Sequence, residues 1–127
     1  MVGFVIISHS SKLAEGVVDL AKMMAKDVPI AAAGGLEDGS FGTSFEKIHN
    51  AIECVYSKDG VILLMDMGSA VMTAEMVVES MEGKKVQLAD CPLVEGAVTG
   101  TVDASIGMCL EDILVDLGQV AAQKKLE

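Results

Sequence analysis

Apolar positions along the chain form two kinds of pattern, and the two alternate. The first kind is a short unbroken run. Val2-Gly3-Phe4-Val5-Ile6-Ile7 is rich in β-branched residues and shows no alternation with polar ones. Such a run reads as a strand buried on both faces of a parallel sheet. Val61-Ile62-Leu63-Leu64-Met65 is the clearest of these runs, and Val28-Pro29-Ile30-Ala31-Ala32-Ala33 and Val86-Gln87-Leu88-Ala89-Asp90 supply two more. Pro29 removes a ladder donor, which puts its strand at a sheet edge.

The second kind is helical spacing. Leu13, Val17, Leu20 and Met24 predict a helix from about Lys12 to Lys26. Phe45, Ile48, Ile52 and Val55 predict a second, capped by Thr43 or Ser44, with His49 beside its stripe as a structural or surface histidine. Met72, Met76, Val77 or Val78, and Met81 mark one side of a third. Pro92 suits the first position of a fourth, through Leu93, Val94, Ala97, Val98, Thr101, Val102 and Ile106. Gly96 and Gly100 weaken that reading, and a strand over Leu93 to Val98 is the alternative. Leu110, Ile113, Leu114, Leu117 and Val120 form the last amphipathic helix.

The order β-α-β-α-β-α-β-α-α predicts an α/β fold: an open, doubly wound, mostly parallel four-stranded sheet of order 2-1-3-4 with helices on both faces. Residues 1–127 are expected to form a single domain. Ligands in such sheets bind beyond the carboxyl ends of the strands, where the strand order reverses. That point lies between the first strand, which runs into His9, and the third, which runs into Asp66. The topology therefore brings His9 and Asp66 to one crevice. A loop with four glycines, Gly34, Gly35, Gly39 and Gly42, borders it; it matches neither a dinucleotide fingerprint nor a P-loop.

Composition narrows the chemistry. Of the 127 residues, 51% are hydrophobic, so the chain can build a core. Aromatic residues are only 3% and the net charge is -10, which argues against nucleic acid and for basic partners. Cys54, Cys91 and Cys109 have no metal-ligand spacing and read as reduced core thiols of a cytoplasmic protein. No segment predicts a signal peptide or membrane helix.

A histidine beside an aspartate can act as an acid/base unit, as a metal pair, or as a nucleophile held in one tautomer. No third metal ligand stands at a diagnostic spacing, so no metal is expected. No Gly-x-Ser-x-Gly supports a serine hydrolase. A structural reading competes, with His9 capping a helix and Asp66 serving as an N-cap. The nucleophile reading accounts for more residues. A phosphoryl group on His9 would meet the N–H groups of the first helix start, Ser10, Ser11, and Gly68-Ser69 at the third helix start. It requires no further cofactor in this chain.

Three motifs carry a resemblance: Ile6-Ile7-Ser8-His9-Ser10, Met65-Asp66-Met67-Gly68-Ser69-Ala70, and Pro92-Leu93-Val94-Glu95-Gly96-Ala97. Together with the loop from Gly39 to Ser44, they make the chain similar, over essentially its whole length, to the DhaM-type phosphotransfer subunits of phosphoenolpyruvate-dependent dihydroxyacetone kinases. Those subunits belong to the mannose-type IIA domains of the bacterial phosphotransferase system. The resemblance implies that the carrier protein HPr phosphorylates His9. It implies that His9 then passes the phosphate to ADP on a nucleotide-binding kinase subunit, which serves a separate dihydroxyacetone-binding subunit. It implies that Asp66 orients His9, that Gly68 and Ser69 line the phosphate, that Thr43 lies near it, and that the chain forms a homodimer. A mannose-type sugar-transport IIA domain, and a phosphate-sensing regulatory module on the same fold, are the alternatives.

Overall fold

A computed structural model describes residues 1–126. The elements follow the order β1 (Gly3–Ser8), α1 (Ser11–Met24), β2 (Ile30–Gly34), α2 (Phe45–Val55), β3 (Val61–Met65), α3 (Ser69–Ser80), β4 (Val86–Ala89), α4 (Leu93–Ser105) and α5 (Leu110–Ala122). The four strands form one sheet of order β2-β1-β3-β4, and every pairing is parallel. This is the expected α/β architecture, and Pro29 does precede an edge strand. Residues 93–98 are helical, because Pro92 stands just before the first turn of α4 and Gly96 and Gly100 face the sheet.

The apolar runs are unbroken because the sheet is covered on both sides. Phe4, Ile6, Ile62 and Leu64 point to a layer containing α1, α4 and α5. Val5, Ile7, Leu63 and Val86 point to the layer of α2 and α3. Side chains alternate between sheet faces along a strand, so successive apolar residues fill two separate cores.

The helices meet the sheet through smaller residues than the periodicity marked. In α1 the buried face is Ala14, Val17, Val18 and Ala21, while Leu13, Leu20 and Met24 are exposed. In α3 it is Ala70, Ala74 and Val77, with Met81 following, while Met72 and Met76 stand in solvent. Phe45 of α2 is also exposed, and Ala51 joins Ile48, Ile52 and Val55 on the buried face. In α4, Val94 and Ile106 are exposed and the glycines are buried. In each case a small side chain lets the helix backbone approach the sheet, and the larger residue lies outside the contact. Two helices bury most of the predicted stripe: α2 at Ile48, Ile52 and Val55, and α5 at Leu110, Ile113, Leu117 and Val120. The cysteines also differ from expectation. Cys54 and Cys109 are exposed and Cys91 is half-buried, so these free thiols are not core residues.

The register sets the site. Ile7 of β1 lies opposite Met65 of β3, and Ser8 opposite Gly34 of β2. The backbone N–H of Asp66 continues the ladder to the Ile7 carbonyl at 3.1 Å. Neighbouring strands lie about 4.8 Å apart, so the residues just past β1 and β3 stand within side-chain reach.

Candidate active site

His9 leaves the end of β1 and α1 starts two residues later. Ser10 is the N-cap of α1, its hydroxyl accepting from the Leu13 N–H at 3.2 Å. Neither His9 nor Asp66 is a cap: the N-cap of α3 is Gly68, which has no side chain to offer. Asp66 instead turns its carboxylate toward β1. Its Oδ2 accepts from the Ser8 hydroxyl at 2.9 Å and from the His9 backbone N–H at 3.0 Å. Its Oδ1 lies 3.1 Å from Nδ1 of the His9 ring. The Asp66 side chain is only 9% exposed and that of His9 is 24% exposed, so the ring reaches the surface while its partner stays inside.

Burial works to raise the Asp66 pKa. The His9 backbone N–H, the Ser8 hydroxyl and the His9 ring outweigh it and hold the carboxyl below its ordinary value. A carboxylate is an acceptor only, so Nδ1 must carry the proton. The lone pair then resides on Nε2, at the outer edge of the ring. The Ser69 hydroxyl, at the first residue of α3, lies 2.8 Å from Nε2 and donates to it. One chain of hydrogen bonds thus runs from Ser8 through Asp66 and His9 to Ser69.

The remaining sequence-marked residues stand around this chain without entering it. Gly68 precedes Ser69 at the start of α3. Ser11 opens α1, with its hydroxyl donating to Glu15 at 2.8 Å. The Thr43 hydroxyl pairs with that of Thr73 on α3 at 3.0 Å, tying the glycine loop to that helix. The same loop is anchored to β1 at two points, by Gly35 N–H to the Ser8 carbonyl at 3.0 Å and by Gly42 N–H to the His9 carbonyl at 2.9 Å. A Cβ on Gly34 would come within 2.5 Å of the Ser10 carbonyl, so only glycine lets β2 end against the start of α1.

Two groups escaped the sequence reading. Ser8 is fully buried and bonds both Asp66 and the Ser10 N–H. It stands in the first motif, just past the apolar run, with nothing in the sequence to give it a role. Thr73 is marked only by lying one turn past Ser69. Among the described residues, no cluster of three or more His, Cys, Asp or Glu side chains is placed to hold a metal ion. No helix of the described chain is long and apolar enough to cross a membrane.

The arrangement offers a nitrogen lone pair at a surface, held by a buried carboxylate and flanked by two helix starts. The first N–H groups of a helix lack intrahelical acceptors and favour an anion. A nucleophilic nitrogen set against such donors suits acceptance of a phosphoryl group.

Comparison with known proteins agrees with this chemistry. The family model EIIA-man, the fructose IIA component of phosphotransferase systems, matches residues 3–114. The phosphotransferase subunit DhaM of the PTS-dependent dihydroxyacetone kinase of Lactococcus lactis is 38% identical over 122 residues, which cover 96% of this chain and 98% of that protein. The phosphoryl donor subunit DhaM of the PEP-dependent dihydroxyacetone kinase of Escherichia coli is 42% identical over 123 residues; the match covers 91% of this chain and spans 26% of that protein. A crystallised protein of unknown function superposes with a TM-score of 0.86 at 29% identity, over 99% of this chain and 98% of its own. The phosphotransferase component EIIA of Streptococcus agalactiae has the same fold, with a TM-score of 0.72 at 12% identity over 96% and 93% of the two chains. The chain belongs to the mannose-type EIIA family of phosphotransferase-system components, and the two relatives compared above at 38% and 42% identity are DhaM subunits.

Proposed function

We propose that this chain is the phosphoryl-carrying subunit of a phosphoenolpyruvate-dependent dihydroxyacetone kinase, with Nε2 of His9 as the atom that carries the group. The observation that supports this reading above all is the pairing of His9 Nδ1 with Asp66 at 3.1 Å, which leaves Nε2 as the ring's nucleophilic nitrogen. The identity to DhaM subunits supports the choice of kinase.

Two displacements make up the relay. In the first, Nε2 attacks the phosphorus of phospho-HPr. The Nε2–P bond forms, the P–N bond in the donor breaks, and the donor histidine leaves neutral. The Nδ1–H of His9 stays in place, so the ring gains positive charge, which the Asp66 carboxylate balances. In the second, a terminal phosphate oxygen of ADP on a kinase subunit attacks the same phosphorus. The Nε2–P bond breaks, ATP forms, and His9 returns to its starting tautomer. That ATP serves the subunit that binds dihydroxyacetone. The chain itself needs no nucleotide site, because the acceptor brings its own.

Ser69 has two positions in this scheme. In the resting site its hydroxyl occupies the Nε2 lone pair. The arriving phosphorus needs that same direction, so the hydroxyl swings aside and donates to a phosphoryl oxygen. In this reading Ser10 and the N–H groups near Gly68 serve as further donors, with Ser11 and Thr43 at the rim. The charge of -10 favours a donor with a basic surface around its histidine, and steering of that kind weakens with salt.

The reading is tested by reconstitution. The phosphorylated chain is mixed with kinase subunits, ADP and dihydroxyacetone. Formation of dihydroxyacetone phosphate with loss of the phosphate on this chain is the expected result. Phosphate that enters but passes to no kinase subunit would reject the kinase role and favour a regulatory module. Passage to a sugar-transport IIB domain instead would favour the sugar-transport reading.

A further inference from the structure

We infer that Ser8 is a positioning residue for phosphoryl transfer, fixing the Asp66 carboxylate so that His9 presents Nε2 and not Nδ1. The inference rests on the carrier role proposed above. Ser8 closes a strand whose other residues are buried and, except for Gly3, apolar, and it is itself fully buried. A hydroxyl in such a place is costly unless it is bonded. Its own backbone carbonyl is already satisfied by the Gly35 N–H. The hydroxyl is therefore free for another task, and its two bonds define it. It donates to Asp66 Oδ2 at 2.9 Å and accepts from the Ser10 N–H at 3.0 Å.

These bonds lock the carboxylate. Oδ2 receives both the Ser8 hydroxyl and the His9 backbone N–H. Nδ1 lies against both oxygens, 3.1 Å from Oδ1 and 3.2 Å from Oδ2; because Oδ2 already accepts two donors, Oδ1 is the oxygen with its lone pairs free for the ring. Removing the Ser8 donor leaves one bond where there were two, and the carboxylate gains freedom to turn about its terminal torsion, which is soft. The ring loses its fixed partner, and the second tautomer becomes accessible. Through the Ser10 N–H, the same hydroxyl joins the start of α1 to the network, so the ring and its neighbouring helix end are held in one geometry.

Ser8→Ala is the test, because a smaller side chain fits the buried space. Phosphate uptake from phospho-HPr is expected to fall about tenfold, the loss of one hydrogen bond to a charged group. The Asp66 carboxyl, followed by ¹³C NMR, is expected to titrate at higher pH, because it loses a donor that favours its charged form. A purely structural serine would lower the melting temperature and leave that titration in place. Ser8→Thr retains the hydroxyl and is expected to restore both rate and titration. Should the added methyl crowd the strand, the ring nitrogens of His9 in Ser8→Ala decide by ¹⁵N NMR, where a mixture of tautomers is expected. A native Asp66 titration together with a native Nδ1–H population would overturn the inference. The NMR arm requires no phosphorylation. A native chain that takes no phosphate would overturn the carrier role, while the NMR result would still decide whether Ser8 holds Asp66.

Discussion

Asp66→Asn separates the charge of this residue from its shape. Asp66 offers one carboxylate to three donors: the Ser8 hydroxyl at 2.9 Å, the His9 backbone N–H at 3.0 Å and His9 Nδ1 at 3.1 Å. An asparagine has one acceptor oxygen and one NH₂ group, so it satisfies this set in only two ways. With the oxygen in the place of Oδ2, the Ser8 and His9 N–H bonds survive. The NH₂ then faces Nδ1 and demands its lone pair, which moves the proton to Nε2 and removes the nucleophile. With the amide reversed, Nδ1–H keeps its acceptor, but NH₂ is set against two donors. Each partly buried donor left unpaired costs about 1–3 kcal/mol, so the competent arrangement lies roughly 2–6 kcal/mol above the other. At about 1.4 kcal/mol per decade, uptake should fall by about 30-fold to about 10⁴-fold. The favoured arrangement leaves every donor satisfied, so the melting temperature should change by no more than a few degrees. The assay is rapid-quench mass analysis of phosphate uptake from phospho-HPr, with ¹⁵N NMR of the ring as a companion. Uptake within threefold of native, or an unchanged Nδ1–H tautomer, would refute the reasoning.

Three further outcomes follow from the geometry. Ser69→Ala removes an exposed hydroxyl that meets only His9 Nε2, so the fold should be unaffected and uptake should slow by about 10- to 100-fold in the same quench assay. Gly100→Ala places a methyl 2.9 Å from the ring of fully buried Phe4. Overpacking of about 1–3 kcal/mol outweighs the gain in helix propensity of up to about 1 kcal/mol, and thermal melts should show a loss of several degrees. Asp103 is buried with an unpaired Oδ2, and burial followed by the neighbouring Asp116 pushes its pKa from 3.8 up to about 7. The folded chain thus binds more protons than the unfolded one between those values, so this group's contribution is greatest below pH 3.8 and is lost as pH rises through about 7. Melting temperature should fall from pH 5 to pH 8, and Asp103→Asn should flatten that slope.

The parts of this molecule legible in its sequence are those where one physical cause acts alone. β1 and β3 are unbroken apolar runs because both sheet faces are covered, and their order fixes the crevice between His9 and Asp66. The helix faces are less legible. Where α1 and α3 touch the sheet, close approach favours Ala14, Ala21, Ala70 and Ala74 over Leu13, Leu20, Met72 and Met76. A pattern that weighs residues by hydrophobicity follows the larger side chains to the wrong side. In the site, the charged partner was visible because an aspartate directly after five apolar residues marks the carboxyl end of a strand, where such sheets bind ligands. Ser8 was not, because serine in a buried strand is marked only by its hydrogen bonds, and those exist only once β1 and β3 lie side by side. Thr73, which holds the glycine loop to α3, is hidden for the same reason.

In the proposed relay, His9 carries the phosphoryl group on Nε2. The most direct test of that role is the intact mass of the chain after incubation with phosphoenolpyruvate, enzyme I and HPr, beside His9→Ala, with the bond located by ¹⁵N and ³¹P NMR. One acid-labile phosphoryl group is expected on the native chain, bound to Nε2, and none on the variant. Phosphate on His9→Ala, attachment through Nδ1, or an unmodified native chain in the presence of phosphorylated HPr would contradict that role.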